Sequence, residues 1–232
     1  RWREHLLPAL AGSDLSLAQY LWDDLRAPNE SLIERLRMFA KEQGWSARDL
    51  SEWGAEKLDG AKSHRAVHQM PFPPAKLRTL WMHGALTWTP EYGLELHPAA
   101  LALLDREEEL RHRLWRGQAE LLLPLLDDLR LTVCDSLTRA HGRDWPVRWY
   151  QPASPIEEKE VRDNPLACGW GYLAWLLRKC SQLRSERRLL SLISQAHRIR
   201  NELAHYRPVA FRDFERLWGE LQRVSKRADA SW

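Results

Sequence analysis

The segment Ile199-Arg-Asn-Glu-Leu-Ala-His-Tyr-Arg-Pro208 gathers an arginine, an amide and a histidine within six positions. A histidine with a near-neutral pKa, here His205, can move a proton to or from a ribose 2′-hydroxyl or a 5′-leaving oxygen. An arginine, here Arg200, can neutralise the charge that builds up on a phosphorane-like transition state. Asn201 is suited to orienting the histidine or a phosphate oxygen. That chemistry needs no metal and no other cofactor. A purely structural role is as simple to state: Arg200 pairs with an acidic neighbour, and His205 caps a helix C-terminus, where the dipole favours a cation.

The element that must carry these residues is a helix over about 184–205. Leu189, Ile193, Ala196, Ile199 and Leu203 recur at spacings of three and four, which is the apolar stripe of an amphipathic helix. Asn201 and His205 are one turn apart on a line shared with His197. Arg200 stands at the edge of the apolar face, and Pro208 ends the helix. Arg200 and His205 are five positions apart, about 140° around a straight helix, so a site using both needs either local unwinding or a second chain. Around the junction where this helix begins cluster Arg178, Lys179, Arg184, Arg187 and Arg188, and Arg207 lies behind it. These are phosphate-gripping candidates for RNA or a plain basic surface. Trp145, Trp149 and Tyr150 suit either stacking on unpaired bases or packing. Residues 165–232 hold 13 Lys and Arg against 6 Asp and Glu, a net of +7, whereas the rest of the chain nets −4. That is the asymmetry of a local polyanion site or of an arginine-rich solvated surface.

Arg200-Asn201-Glu-Leu-Ala-His205 resembles the R-N-x-x-x-H form of the motif of the HEPN superfamily, and most of all its abortive-infection branch. In that branch a hydrophobic residue precedes the arginine and a proline follows the histidine closely. The resemblance spans about residues 100–228, although only about ten of them are specific. It implies an α-helical bundle with the motif late in the chain, and a metal-independent endoribonuclease of phage-defence, toxin–antitoxin or RNA-processing systems. The active site would form where two such domains meet in a homodimer, with His205 as acid/base, Arg200 stabilising the phosphate and Asn201 supporting them. In the branch partnered by nucleotidyltransferases a tyrosine stands two places after the histidine. Here Arg207 holds that place and Tyr206 is adjacent, a departure from the tyrosine-modification mechanism. Other members of the superfamily are non-catalytic dimerisation or interaction modules of larger defence or signalling proteins, which is the alternative reading.

The rest of the chain reads as mainly α-helical. Ser31-Leu-Ile-Glu34 is a capping box ahead of Leu32, Leu36 and Phe39, and Ser46 caps a further helix. The pattern fails between Asp59 and Pro74. A short helix over 75–83 leads to alternating apolar and polar residues over 84–97 around a Pro90–Gly93 turn, a β-hairpin. Helices followed by a small hairpin resemble a winged-helix module over about 14–104, either a protein-interaction unit or a DNA reader. Its neutral-to-acidic balance disfavours DNA. A long helix is expected from Pro98 to about Gly117, another from near Pro124 to His141, an irregular stretch over 142–164 with a capped helix at Ser154, and helices over about 166–182 and 210–227. The expected domains are 1–97 and 98–232.

Composition excludes several classes. With 232 residues, 44% hydrophobic and 29% charged, the chain can bury a core and is not a disordered polymer. No run approaches the ~18 uninterrupted apolar residues of a membrane span. No signal peptide opens the chain, and its start at Arg1 suits a processed product or a piece of a longer polypeptide. Cys134, Cys168 and Cys180 form no C-x-x-C pair and read as buried thiols in a reducing compartment, so the cytoplasm is expected. His64 and His68 share one helical face at metal-ligand spacing but have no evident third ligand. No P-loop, G-x-S-x-G or G-x-G-x-x-G occurs.

Overall fold

The computed structural model describes residues 2–23, 25, 29–58, 75–89, 93–148 and 154–229. The chain is mostly helical with one two-stranded antiparallel hairpin, in agreement with the all-α expectation. It divides into two compact units, 1–121 with 206–211 and 122–205 with 212–232. No helix among the described residues is long and apolar enough to cross a membrane.

The first unit contains α1 (Trp2–Ala11), α2 (Leu15–Leu21), α3 (Asn29–Glu42), α4 (Ala47–Glu52), α5 (Arg78–Met82), strands β1 (Leu86–Thr89) and β2 (Gly93–Leu96), and α6 (Pro98–Leu103). It also contains the first half of α7 (Glu107–His141). Leu6, Leu10, Leu17, Leu21, Leu36, Leu50, Leu80 and Leu101 fill its core. β1 and β2 pair in the register Leu86 with Leu96 and Trp88 with Leu94, forming the expected hairpin; Pro90 lies outside the described residues. One polar network ties two helix starts together. Asp14 caps α2 by accepting from the amides of Ser16 and Leu17, and its second oxygen lies 3.1 Å from Nε2 of the fully buried His97. Nδ1 of His97 accepts from the amide of Ala99 at 3.1 Å and so caps α6. Because Nδ1 accepts, the neutral ring carries its proton on Nε2 and donates it to Asp14.

Several expected boundaries differ. Ser31 does not cap α3, which begins two residues earlier at Asn29. The helix starting at Pro98 stops at Leu103, with Asp105 in the left-handed region (φ 54°) and the amide of Arg106 bonded back to the Leu101 carbonyl at 3.0 Å. Arg37 holds this turn by donating to the Ala102 carbonyl and to the Asp105 carboxylate. No break follows at Gly117–Pro124. α7 runs unbroken through both, with Pro124, which has no N–H to donate, inside it. Gly117 is there for clearance, since a Cβ at that position would lie 2.6 Å from Cβ of Ala9 in α1.

The second unit holds the rest of α7, then α8 (Trp145–Arg148), α9 (Pro155–Asp163), α10 (Trp170–Lys179), a 3-10 stretch over Ser181–Leu189, α11 (Leu190–Ala204) and most of α12 (Phe211–Asp229). The single helix expected over 184–205 is thus α11 preceded by a 3-10 turn with non-helical angles at Leu183. Leu126, Val133, Leu137, Leu173, Leu176, Leu177, Leu192 and Ile193 build the core, together with Trp145, whose Nε1 donates to Thr138 Oγ1. Trp145 is therefore a packing residue and not a base-stacking one. Trp149 and Tyr150 lie outside the described residues, as do His64 and His68. All three cysteines are free and buried.

Candidate active site

α11 buries the stripe read from the sequence. Ile193, Ala196, Ile199 and Leu203 face the core together with Leu192, and Leu189 is buried just ahead of the helix. α11 packs against α10, and this packing fixes which polar residues reach the surface. Arg200 is exposed, Asn201 and His197 are half-buried, and His205 is exposed at the C-cap. The amide of His205 bonds to the Asn201 carbonyl at 3.1 Å, so helical bonding persists to the motif histidine. The chain leaves the helix at Tyr206, a non-glycine residue in the left-handed region (φ 57°). Unwinding therefore does not bring Arg200 and His205 onto one side of α11.

Arg200 and Asn201 do come together. Nη1 of Arg200 is 3.5 Å from Oδ1 of Asn201, a long contact, and Nδ2 of Asn201 is 3.1 Å from Nε2 of His197. Arginine has only donors, so the Asn201 oxygen faces it and the amide nitrogen faces His197. His197 Nε2 is then an acceptor, and the ring is neutral. Partial burial holds the His197 imidazole below its ordinary pKa, and the neighbouring guanidinium groups of Arg200 and Arg178 push it the same way. Arg200 has no carboxylate partner among the described residues. His205 makes no side-chain hydrogen bond or ion pair among the described residues.

Beside Arg200 and His197 a groove of about 490 Å³ opens between α7, α9, α10 and α11. Gly171 leaves room at its wall, where a Cβ would come 3.4 Å from Nε2 of His197. His197 is the residue that motif reading left without a role. Its signal was the i, i+4 spacing to Asn201, but only the helix geometry turns that spacing into a hydrogen bond.

The basic candidates are all exposed but not equivalent. Arg178 donates to Ser194 at 3.0 Å, which places it beside α11 near His197. Arg187 reaches the Arg178 carbonyl, and Arg188 lies 3.5 Å from Glu186. Lys179 and Arg184 make no ion pair among the described residues. Arg207 lies past the left-handed turn in the segment assigned to the first unit. Among the described residues no group of three or more His, Cys, Asp or Glu side chains is placed to hold a metal ion. No family model, curated protein or solved structure matches this chain.

Proposed function

We propose that this protein is a metal-independent endoribonuclease of the HEPN type, an effector of phage defence or a toxin–antitoxin pair, acting as a homodimer through its C-terminal bundle. The observation that carries the reading is Arg200, a cation with no carboxylate partner among the described residues, set beside Asn201 on the surface of a helix that ends at His205. In the reaction the ribose 2′-oxygen attacks the adjacent phosphorus and the 5′-oxygen leaves. The products are a 2′,3′-cyclic phosphate and a free 5′-hydroxyl. His205 moves the proton, and Arg200 pairs with the non-bridging oxygens as negative charge accumulates. Asn201 supports the arginine from the side, and the basic surface of Arg178, Lys179, Arg184, Arg187 and Arg188 attracts the strand. The first unit, with its winged-helix-like order of elements, serves as a module that holds a regulatory partner.

A dimer answers the geometric difficulty. Arg200 and His205 lie on different sides of one α11, about 140° apart, so a composite site takes the arginine of one copy and the histidine of the other. The test is to mix Arg200→Ala and His205→Ala chains, each inactive alone. Mixed dimers regain one complete site, so cleavage returns on mixing. If mixing never restores cleavage although the two chains exchange, the composite site is refuted. A purified dimer that cuts no RNA under any condition instead supports a non-catalytic interaction domain.

A further inference from the structure

We propose that a groove between α1, α3 and α7 of the first unit is the docking site of a short basic amphipathic helix carried by the regulatory partner; this rests on the reading of that unit as a partner-holding module and names what the partner presents. The floor of the groove is apolar. Leu10 of α1, Leu32 and Leu36 of α3, and Leu110 and Leu114 of α7 are buried beneath it, and Ile33 stands half-buried at its lip. Its volume of about 310 Å³ is at the small end of the range for binding sites, roughly 300–1,000 Å³. On α7 the lining residues Glu107, Leu110, Arg111 and Leu114 share one face at spacings of three and four. From the first to the last is a rise of about 10 Å. That length accommodates two apolar side chains one helical turn apart, about 5.4 Å, which is how an amphipathic helix seats itself in a groove.

The rim decides the sign of the occupant. Arg37 donates to Glu34 and to Asp105, at 2.7 Å in each case. Arg111 donates to Glu108 at 2.6 Å and lies 3.4 Å from Glu107. Four carboxylates thus surround two guanidinium groups, and the side chains of Glu34, Asp105 and Glu108 remain 67%, 78% and 86% exposed. Both cations are already matched, so the excess negative charge is open to lysine or arginine side chains that flank an apolar pair. An acidic helix is repelled at the same rim, and a neutral apolar ligand leaves its charge unused. Arg37 also donates to the Ala102 carbonyl at 3.1 Å, which fixes this side of the rim before a partner arrives.

The test uses the full chain and a fluorescein-labelled helical peptide with two leucines four places apart and lysines at the flanking positions, read by fluorescence anisotropy at low salt. Two comparison peptides replace every lysine by glutamate, or both leucines by alanine. The expected result is saturable binding of the lysine–leucine peptide, weakened about tenfold or more by either replacement and further by added salt. In the chain, Glu34→Lys with Glu108→Lys reverses two exposed charges whose ion pairs add little to stability, so the fold is kept and affinity falls about tenfold. Ile33→Lys sets a cation at the lip and weakens the peptide similarly, as a second arm. No binding at millimolar peptide, or undiminished binding by both folded variants, overturns the proposal. So does equal binding of the alanine peptide, which is plain charge attraction. Binding that follows the leucines and ignores the lysines makes the groove a site for a neutral apolar ligand. A self-associated chain that Glu34→Lys with Glu108→Lys dissociates makes it a contact between copies; either result overturns the basic partner. The two readings fail separately, because the peptide assay contains no RNA. If the chain cuts RNA and no peptide binds, the groove assignment falls and the nuclease stands. If the peptide binds as expected and no form cuts, the groove stands and the nuclease reading falls.

Discussion

Replacing Asp14 by alanine tests whether the buried polar network of the first unit is as tightly coupled as its geometry requires. The substitution removes two things. The first is the N-cap of α2, where Asp14 accepts from the amides of Ser16 and Leu17; loss of such a cap costs about 1 kcal/mol. The second is the acceptor for Nε2–H of His97. That ring is fully buried and cannot turn its donor to water, because Nδ1 is committed to the Ala99 amide. An orphaned buried donor costs roughly 1–3 kcal/mol, so the total is about 2–4 kcal/mol. Urea unfolding at pH 7, followed by far-ultraviolet circular dichroism, should show the midpoint falling with little change in slope. The pH dependence adds a second check. Hydrogen bonds that Asp14 accepts from His97, from Ser16 and from the Leu17 amide outweigh its partial burial and hold its carboxyl far below the usual carboxylate range. A depressed acid contributes stability that is present above its unfolded pKa of about 3.9 and is lost as pH falls below it. The wild type's advantage over Asp14→Ala is therefore level above about pH 4 and shrinks below it, by up to about 1.4 kcal/mol per pH unit. A loss under about 0.5 kcal/mol at pH 7, or an advantage that grows on acidification, would refute the reasoning.

Three further outcomes follow from particular contacts. Gly117→Ala forces a Cβ to 2.6 Å from Ala9 Cβ and should destabilise the chain by about 1–3 kcal/mol, visible as a lower thermal midpoint, although alanine is the better helix former. Burial pushes the Cys134 thiol up to about 11 and raises Cys168 and Cys180 as well, so the folded chain should consume a chromogenic disulfide reagent far more slowly than the unfolded chain. His197 acts through Asn201, so His197→Ala should lower RNA cleavage about tenfold. His197→Gln keeps an acceptor near the Nε2 position and should retain most of the activity; equal loss in both variants contradicts the positioning role.

The apolar stripes were legible and the caps only in part: Ser31 lies inside α3, which begins at Asn29, and Ser154 precedes α9 without a capping bond from its side chain. Leu189, Ile193, Ala196, Ile199 and Leu203 are all buried, and Ser46 caps α4 as its position implied. The stop at Leu103 was not legible, because it depends on Arg37, more than sixty residues earlier, donating to the Ala102 carbonyl and to Asp105. Gly117 and Pro124 carry the local signature of a break, yet the packed surface of α1 uses the glycine and the helix absorbs the proline. At the site, Arg200 and Asn201 were adjacent in sequence and stay together in space. The groove was invisible because its walls come from α7, α9, α10 and α11, whose side chains meet only after folding. Trp145 shows the converse: among many tryptophans, only tertiary context separates a buried ring bonded to Thr138 from one free to stack on a base.

The most direct test of the ribonuclease account is cleavage of end-labelled single-stranded RNA by the purified chain in excess EDTA, beside Arg200→Ala and His205→Ala chains shown to be folded. The account predicts cleavage that persists in the chelator, leaves 2′,3′-cyclic phosphate ends and disappears in both variants. Cleavage by His205→Ala at the wild-type rate, or cleavage by the wild type that EDTA abolishes, would contradict it.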